Sequence, residues 1–357
     1  MNKFLKIIIY LTIWLICFSC QTPPQTSYNN LTENRERIYI GELIKHLTVY
    51  PLEANDNYLI GKIDKLLCQD SSFFILDNKY NKAFYQFSIE GKGLKKFQNP
   101  GRGPLEYIEI NDFDILPNHQ GYVLLCSPMK IIILDTNFIP QQEITLKTYY
   151  NRLICSHNHI FMYSHHDACV DLLNLKTKNI NRIFSGEPMR GNIFYSQPVF
   201  YPTCQKIYFQ IPGDDCIYQV DSTGFIPYLK LDYKEKKRAF KLYSSRKADQ
   251  ISIDELSTHP LINILDIRGN KDLSFIYECQ GFGIFRSIDS IQKTNQILTG
   301  FIGSSNCLTH TREDNLITWR STISAKDSIK GIPILFHHPH FENPETANPV
   351  ILRYDFK

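Results

Sequence analysis

Short apolar strands separated by turn residues recur along the chain, and this recurrence limits the possible folds more than any other feature. Five stretches, beginning with FFILDNKYNKAFYQFSIEGKGLKKF, read as strand, turn, strand, turn, strand. The end of the third strand in such a unit can be marked at six positions: Ser88, Asp135, Asn174, Asp221, Asp289 and Asp355. The first three separations are 47, 39 and 47 residues, and the last two are 68 and 66. The pattern therefore predicts a repeat of antiparallel meanders.

The repeat length selects the architecture. Separations of about 40 to 50 residues are typical of four-stranded propeller blades, and the 21 tyrosines and 23 phenylalanines suit half-buried strand surfaces. The two long separations contain insertions at about 233–257, expected to be helical, and at about 324–347. The sequence thus predicts an all-β, six-bladed propeller of four-stranded antiparallel blades with a short helical insertion.

Both ends of the chain are rich in β-forming residues that belong to no complete unit. RIYIGELIKHLTVYPLE lies near the start and NPVILRYDFK at the end. A propeller must pair its last strands to leave no open edge. We therefore expect the two terminal segments to complete blade six together, with His310 to Ser321 supplying its inner strands.

The loop GRGPLEY follows the predicted outer strand GLKKF of blade one and precedes the predicted inner strand NDFDIL of blade two. The chain must cross from the rim to the axis here. We expect Gly101 and Gly103 to supply positive φ and Pro104 to fix the exit direction.

The first twenty residues resemble an export signal. Lys3 and Lys6 precede an apolar stretch from Ile7 to Phe18, and Ser19 and Cys20 follow. The stretch fits a signal-peptide core and is too short for a spanning helix. The Ser-Cys end resembles a bacterial lipobox, which predicts a signal peptide over 1–19, lipid attachment at Cys20, a tether over 20–37 and a propeller domain over 38–357. Ordinary secretion with a chance cysteine is the alternative.

Charge and cysteine usage narrow the class of partner. Loss of Lys3 and Lys6 with the signal leaves 37 of the 39 Lys and Arg residues against 36 Asp and Glu residues. This balance gives no support for nucleic-acid binding. Eight cysteines remain besides Cys17 and Cys20, without zinc-site spacing and mostly in apolar runs. Buried thiols are the favoured interpretation and a disulfide framework the alternative.

Three segments resemble a known family. They are LTVYPLE with IGKIDKLLCQDSSFFILD, GRGPLEY leading into INDFDI, and the closing NPVILRYDFK. They are similar to the six-bladed β-propeller lipoproteins of Bacteroides and its relatives, which are distantly like NHL and TolB propellers. The resemblance implies that fold, an envelope location and lipidation of Cys20, but no catalytic residue. The family usually has glycine where this chain has Leu105, so a local rearrangement of the turn is expected.

Propellers bind ligands where the inner strands and their loops meet at the channel mouth. The residues expected to approach it are Asn111, Asp112 and Asp114 in blade two, Asn151 and Arg152 in blade three, Tyr201 in blade four, Asn263 and Asp266 in blade five, and His310 in blade six. Acids and amides at such positions resemble the cation site of propeller lactonases. The same residue types also stabilise turns at strand ends.

No nucleophile elbow, phosphate-binding loop or HExxH motif stands in a suitable context. The sequence favours an envelope lipoprotein at the periplasmic face of the outer membrane, with a non-enzymatic binding or scaffolding propeller and no cofactor. Its expected partners are the membrane, through the lipid anchor, and a glycan, peptide or envelope protein. The alternative is a propeller hydrolase or lyase with a divalent cation in the central channel.

Overall fold

The computed structural model is an all-β propeller with four-stranded antiparallel blades. It describes residues 26–28, 36–186, 199–203, 206–211, 214–221, 224–231, 263–268, 273–278, 282–288, 292–299, 309–310, 316–320, 334–336 and 348–357. Helix is nearly absent from these ranges: they contain one four-residue helical turn and one 3-10 turn, Pro117–His119. The predicted all-β class is confirmed.

The strands are numbered in chain order. The N-terminal part has β1 (Thr26–Tyr28), β2 (Glu36–Tyr39), the helical turn α1 (Ile40–Leu43) and β3 (Ile44–Pro51). Five meanders follow, and each forms one blade. The first blade has β4 (Lys65–Gln69), β5 (Ser72–Asp77), β6 (Ala83–Ser88) and β7 (Gly93–Phe97), and the second has β8 (Glu109–Ile115), β9 (Tyr122–Ser127), β10 (Lys130–Leu134) and β11 (Pro140–Thr145). The third blade has β12 (Arg152–Ser156), β13 (His159–Ser164), β14 (Cys169–Asn174) and β15 (Ile180–Ser185), the fourth has β16 (Phe200–Pro202), β17 (Ile207–Phe209), β18 (Cys216–Asp221) and β19 (Gly224–Leu231), and the fifth has β20 (Asn263–Arg268), β21 (Leu273–Glu278), β22 (Phe282–Ile288) and β23 (Gln292–Thr299). The C-terminal part has β24 (Thr309–His310), β25 (Leu316–Arg320), β26 (Ile334–Phe336) and β27 (Val350–Phe356).

Large apolar side chains between neighbouring blades form the core. Phe84 of the first blade lies 4.7 Å, ring centre to ring centre, from both Phe113 and Phe138 of the second. Tyr122 packs against the same ring edge to face at 5.5 Å. Aromatic pairs at such distances stabilise beyond their buried area. The abundance of aromatic residues in the sequence is thus explained by packing between blades.

Contacts between the first strands of successive sheets follow the order expected of a ring. β12 contacts β8 and β16, β20 contacts β16 and β24, and β24 contacts β4. β8 in turn contacts β5 of the first meander. The first strand of each sheet is therefore the inner one, next to the axis.

The sheet that closes the ring differs from the other five. Its strand order is β24-β25-β27-β3-β26, so that it joins both ends of the chain. β27 pairs antiparallel with β3 from Val350–Pro51 onward, and β25 pairs with the other edge of β27. The expected pairing of the terminal segments is observed.

The predicted count of six blades is wrong, because the structure has five blades and a closing sheet of a different kind. Five continuous stretches form four-stranded antiparallel blades, whereas the closing sheet is composite. It has five strands, one of which, β26, pairs in parallel with β3. The sequence predicted the pairing of the two terminal segments but not the parallel strand β26, because β26 lies in the segment that was interpreted as an insertion.

The segment expected to be a flexible tether, 20–37, contributes strands to the propeller. β1 adds in parallel to the outer strand β19, with Thr26 opposite Leu229 and Tyr28 opposite Leu231. β2 adds in the same way to β23, with Glu36 opposite Gln296. β1 and β2 therefore extend the outer edges of two successive blades.

The crossover loop lies between β7 and β8 as predicted, but its backbone differs from the expectation. Positive φ occurs at Leu105, at 59°, and at neither Gly101 nor Gly103. The Glu106 carboxylate folds back and accepts a hydrogen bond from the Gly103 amide at 2.7 Å. A Cβ atom on Gly101 would lie only 2.0 Å from that carboxylate. The glycine is thus needed for space and not for its sign of φ.

Gly101→Ala is expected to lower the free energy of unfolding by about 1 kcal/mol, because the new methyl group displaces Glu106 from the Gly103 amide. Urea unfolding of Gly101→Ala, Glu106→Ala and the double variant measures this. The double variant should lose little more than either single variant, since both remove the same hydrogen bond. Fully additive losses would contradict the explanation.

Several sequence predictions lie outside the described residues. They are the signal peptide, Cys20, the helical insertion at 233–257 and, apart from the strand β26, the insertion at 324–347. The cysteines within the described ranges, Cys68, Cys126, Cys155, Cys169 and Cys216, are all free thiols. No helix among the described residues has the length and apolarity that a membrane crossing requires.

Candidate functional site at the inner strands

The channel-mouth residues predicted from the sequence lie on or beside inner strands. Asn111, Asp112 and Asp114 belong to β8, Arg152 to β12 with Asn151 just before it, and Tyr201 to β16. Asn263 and Asp266 belong to β20 and His310 to β24. The side chains of Asn263 and His310 are outside the described part of the structure.

Asp112 connects three consecutive blades. Its carboxylate accepts a hydrogen bond from the Lys65 ammonium of β4 at 2.7 Å and from the Leu153 amide of β12 at 2.8 Å. The Phe113 amide donates a further hydrogen bond at 2.9 Å. The side chain is 2% exposed, so these donors replace its hydration. Asp112 therefore links the first, second and third blades through hydrogen bonds.

Asp114 makes a second link between β8 and β12. Its carboxylate accepts hydrogen bonds from the Cys155 amide at 2.7 Å and from the Ile115 amide at 2.8 Å. Burial raises the pKa of Asp114 to about 6, an effect that Lys65 and the two amides oppose. Burial and the neighbouring Asp114 also raise the pKa of the Cys155 thiol well above its usual value. Cys155 is therefore protonated and unreactive at neutral pH.

A second polar group joins the third, fourth and fifth blades. The Tyr201 hydroxyl donates to the Ile264 carbonyl at 2.8 Å. Burial and the charge of Asp266 raise the pKa of Tyr201, whereas Arg152 lowers it. Tyr201 and Asp266 are both buried. The predicted residues Arg152, Tyr201 and Asp266 of three neighbouring blades thus lie near enough for the two charges to shift the pKa of the tyrosine.

The two asparagines have local roles. The Asn151 side-chain oxygen accepts a hydrogen bond from the His165 amide at 2.8 Å, and the residue is buried. The Asn111 amide lies 3.4 Å from the Tyr150 carbonyl, and Arg152 lies 3.5 Å from the Asn111 carbonyl. Both latter distances are long for hydrogen bonds. Within the described residues, no three His, Cys, Asp or Glu side chains are grouped so that they could hold a metal ion.

Comparison with known sequences identifies the family. The family described as Domain of unknown function (DUF4934) matches residues 24–334, which is most of the chain. The chain belongs to the DUF4934 family. No curated protein matches it.

Two crystal structures are similar to this DUF4934 chain. One is a candidate exported protein from Bacteroides fragilis, with 16% identity, a TM-score of 0.68 and coverage of 93% of this chain and 99% of the other. The other is a member of the DUF4221 family from Bacteroides vulgatus, with 12% identity, a TM-score of 0.54 and coverage of 88% and 97%. At these identities the likeness concerns the fold alone.

Three donors from neighbouring blades to the inner-strand acids were not among the residues predicted for this DUF4934 chain. They are Lys65 on β4 and Leu153 and Cys155 on β12. No residue of the first blade was proposed, although Lys65 begins the strand KLLCQ and so occupies the position that the proposed residues hold in other blades. That equivalence of position was the signal that could have found it.

Asp114→Asn is expected to make the protein relatively more stable than the wild type as pH rises from 4 to 7. The folded-state pKa of Asp114 is raised to about 6 from the ordinary 3.8, so the folded state holds its proton longer than the unfolded state. This contribution is fully present below pH 4 and is lost as pH rises through 6. Unfolding in urea at several pH values should show that the free energy of unfolding of Asp114→Asn, relative to that of the wild type, rises by about 2 kcal/mol over this range. A difference between the two proteins that does not change with pH would contradict the raised pKa of Asp114.

Proposed function

We propose that this DUF4934 protein is an envelope lipoprotein whose propeller binds or scaffolds a glycan or peptide without catalysis. The observation that carries the proposal is the use of the inner-strand acids. Asp112 and Asp114 accept hydrogen bonds from backbone amides of two blades, and Asp112 also pairs with Lys65. Carboxylates engaged in this way hold blades together and have little capacity left for proton transfer to a substrate.

Two further features support the envelope location. The N-terminus has the lysines, the apolar core and the Ser-Cys ending of a lipoprotein signal, which would place the lipid on Cys20. One similar crystal structure belongs to a candidate exported protein of Bacteroides fragilis. The proposed location is the periplasmic face of the outer membrane, with the lipid as anchor.

The composite sheet supports a finer proposal about the ring. β24 contacts the inner strands β4 and β20 on its two sides. We propose that the five blades and this closing sheet form a ring of the NHL or TolB kind. An experimental map of the protein seen along its axis would test this arrangement directly.

Metabolic labelling with an alkyne fatty acid tests the anchor. The wild-type protein should carry the label and sediment with outer membranes, whereas Cys20→Ala should lose both properties. Cys17→Ala is the matched control, because it removes a cysteine from the same segment without removing the lipid acceptor. An unlabelled wild type would refute lipidation.

Two measurements on the purified protein test separately for ligand binding and for catalysis. A glycan and peptide array, followed by calorimetry of any hit, should give binding without turnover. A stoichiometric divalent cation, found by elemental analysis and required for hydrolysis or elimination, would instead support the enzyme alternative. That outcome would contradict the proposed structural use of the inner acids.

A further inference from the structure

The N-terminal strand β1 determines where the lipid anchor leaves the propeller. β1 pairs with β19, the outer strand of the fourth blade, and the two run parallel with Thr26 opposite Leu229. In a parallel pair, the chain that precedes Thr26 leaves toward the beginning of β19, which is Gly224. The exit point therefore lies on the rim of the ring and away from both channel mouths.

The reach of the anchor is short. Six residue steps separate Cys20 from Thr26. An extended chain covers at most about 3.6 Å per residue, so the lipid lies within about 22 Å of the β19 edge. A tether over the whole of 20–37 would have allowed roughly 60 Å. The pairing of β1 thus removes most of the freedom that the sequence alone suggested.

The edge beside this exit has side chains suited to a lipid surface. Ile226 is 38% exposed, and Pro227 and Lys230 are also exposed. The described residues of β1 pair with β19 at Leu229 to Leu231, and the side chains of Ile226 and Pro227 further back on β19 are exposed. An apolar contact with a basic neighbour favours the headgroup region of a bilayer that contains anionic lipids.

We propose that the β19 edge of the fourth blade, comprising Ile226, Pro227 and Lys230, rests on the membrane surface that holds the lipid of Cys20. The inference depends on the proposed lipoprotein character. The outer edge of a blade faces away from the ring axis, at right angles to it, so the channel then lies along the membrane plane. Both of its mouths remain open to ligands.

The first blade provides a matched control. Its outer strand β7 has Leu94, which is 43% exposed, followed by Lys95 and Lys96. This edge has one comparably exposed large apolar side chain and one more lysine than the β19 edge. It lies three sheets away from the fourth blade in either direction around the chain of contacts. Amino-acid composition alone would predict that the β7 edge contacts the membrane, whereas the position of the anchor predicts that the β19 edge does.

Tryptophan quenching on vesicles distinguishes the two edges. Trp319 is the only tryptophan left after removal of residues 1–19, so an added tryptophan is readily resolved. Ile226→Trp, Pro227→Trp and Leu94→Trp are prepared as full-length lipidated proteins and bound to vesicles of phosphatidylethanolamine and brominated phosphatidylglycerol. We expect the added fluorescence of Ile226→Trp and Pro227→Trp to be largely lost and that of Leu94→Trp to be retained.

Mass spectrometry of Cys20 in the same samples separates the two hypotheses. With a lipid on Cys20, equal quenching at both edges, or stronger quenching at Leu94→Trp, overturns the rim contact and leaves the proposed function intact. An unmodified Cys20 overturns both. Unchanged thermal midpoints in the three variants confirm that the added rings report on position and not on misfolding.

Discussion

Asn348→Ala is expected to lower the free energy of unfolding by about 3 kcal/mol. The Asn348 side chain is 1% exposed and joins the C-terminal strand to the segment before the first blade. Its oxygen accepts a hydrogen bond from the Ile60 amide at 2.7 Å, and its nitrogen donates to the carbonyls of Glu53 and Tyr58 at 2.6 and 2.5 Å. Alanine would leave one buried amide and two carbonyls without this partner. Such groups cost more when unsatisfied than their hydrogen bonds contribute.

Urea unfolding followed by circular dichroism measures the loss. Asn348→Asp is an informative second variant, because it keeps the acceptor for Ile60 but places a carboxylate against two carbonyls. It should be no more stable than Asn348→Ala. Asn137→Ala, at an exposed turn, is the control and should change stability by less than about 0.5 kcal/mol. Equal stability of Asn348→Ala and Asn137→Ala would show that the three hydrogen bonds of Asn348 contribute little to stability.

The closing sheet illustrates what the sequence could predict. Two β-rich segments without partners, one at each end, can be satisfied only by pairing with each other, and β3 and β27 do pair. The strand β1 could not be predicted in the same way. It lies in the polar stretch QTPPQTSYNN, and a strand added at an edge depends mainly on backbone hydrogen bonds. Side-chain patterns carry little information about such pairing.

The crossover loop shows a second limit. The glycines and the proline mark the position of the turn, and the turn lies there. The sign of φ at each residue depends on contacts that a local pattern does not contain, here the return of Glu106 to the Gly103 amide and the bond from the Leu105 amide to Glu143 at 2.6 Å. Those contacts put Leu105, and neither glycine, in the left-handed region.

For the candidate site, the sequence could predict which residues lie on inner strands but not which groups form hydrogen bonds with them. The strand periodicity placed Asp112, Asp114 and Tyr201 on inner strands because each blade begins at the axis. The donors to Asp112 come from residues 47 positions before it and 41 after it, Lys65 and Leu153. Such pairs depend on how the blades stack around the ring, which periodicity within one blade does not encode.

Asp112→Ala is expected to lower the free energy of unfolding by about 3 kcal/mol, because it leaves the Leu153 amide without an acceptor and separates Lys65 from its carboxylate. Asp112→Asn should lose less, about 1 to 2 kcal/mol, since an amide oxygen can still accept from Leu153. The comparison uses urea unfolding of both variants. Asp167→Asn, which removes an exposed pair with His166, should cost less than about 0.5 kcal/mol.

A double-variant cycle with Lys65→Met decides whether Asp112 has a structural role between blades or belongs to a reactive site. If its role is structural, Asp112 should show a coupling energy with Lys65 of about 1 kcal/mol. Solvent screening keeps this energy small, because the lysine side chain is 26% exposed. Ligand binding should then fall only in proportion to lost stability. If Asp112→Asn instead abolished binding or turnover while the unfolding curve stayed unchanged, the carboxylate would belong to a functional centre, because a structural acid cannot be neutralised at no cost to the ring it holds.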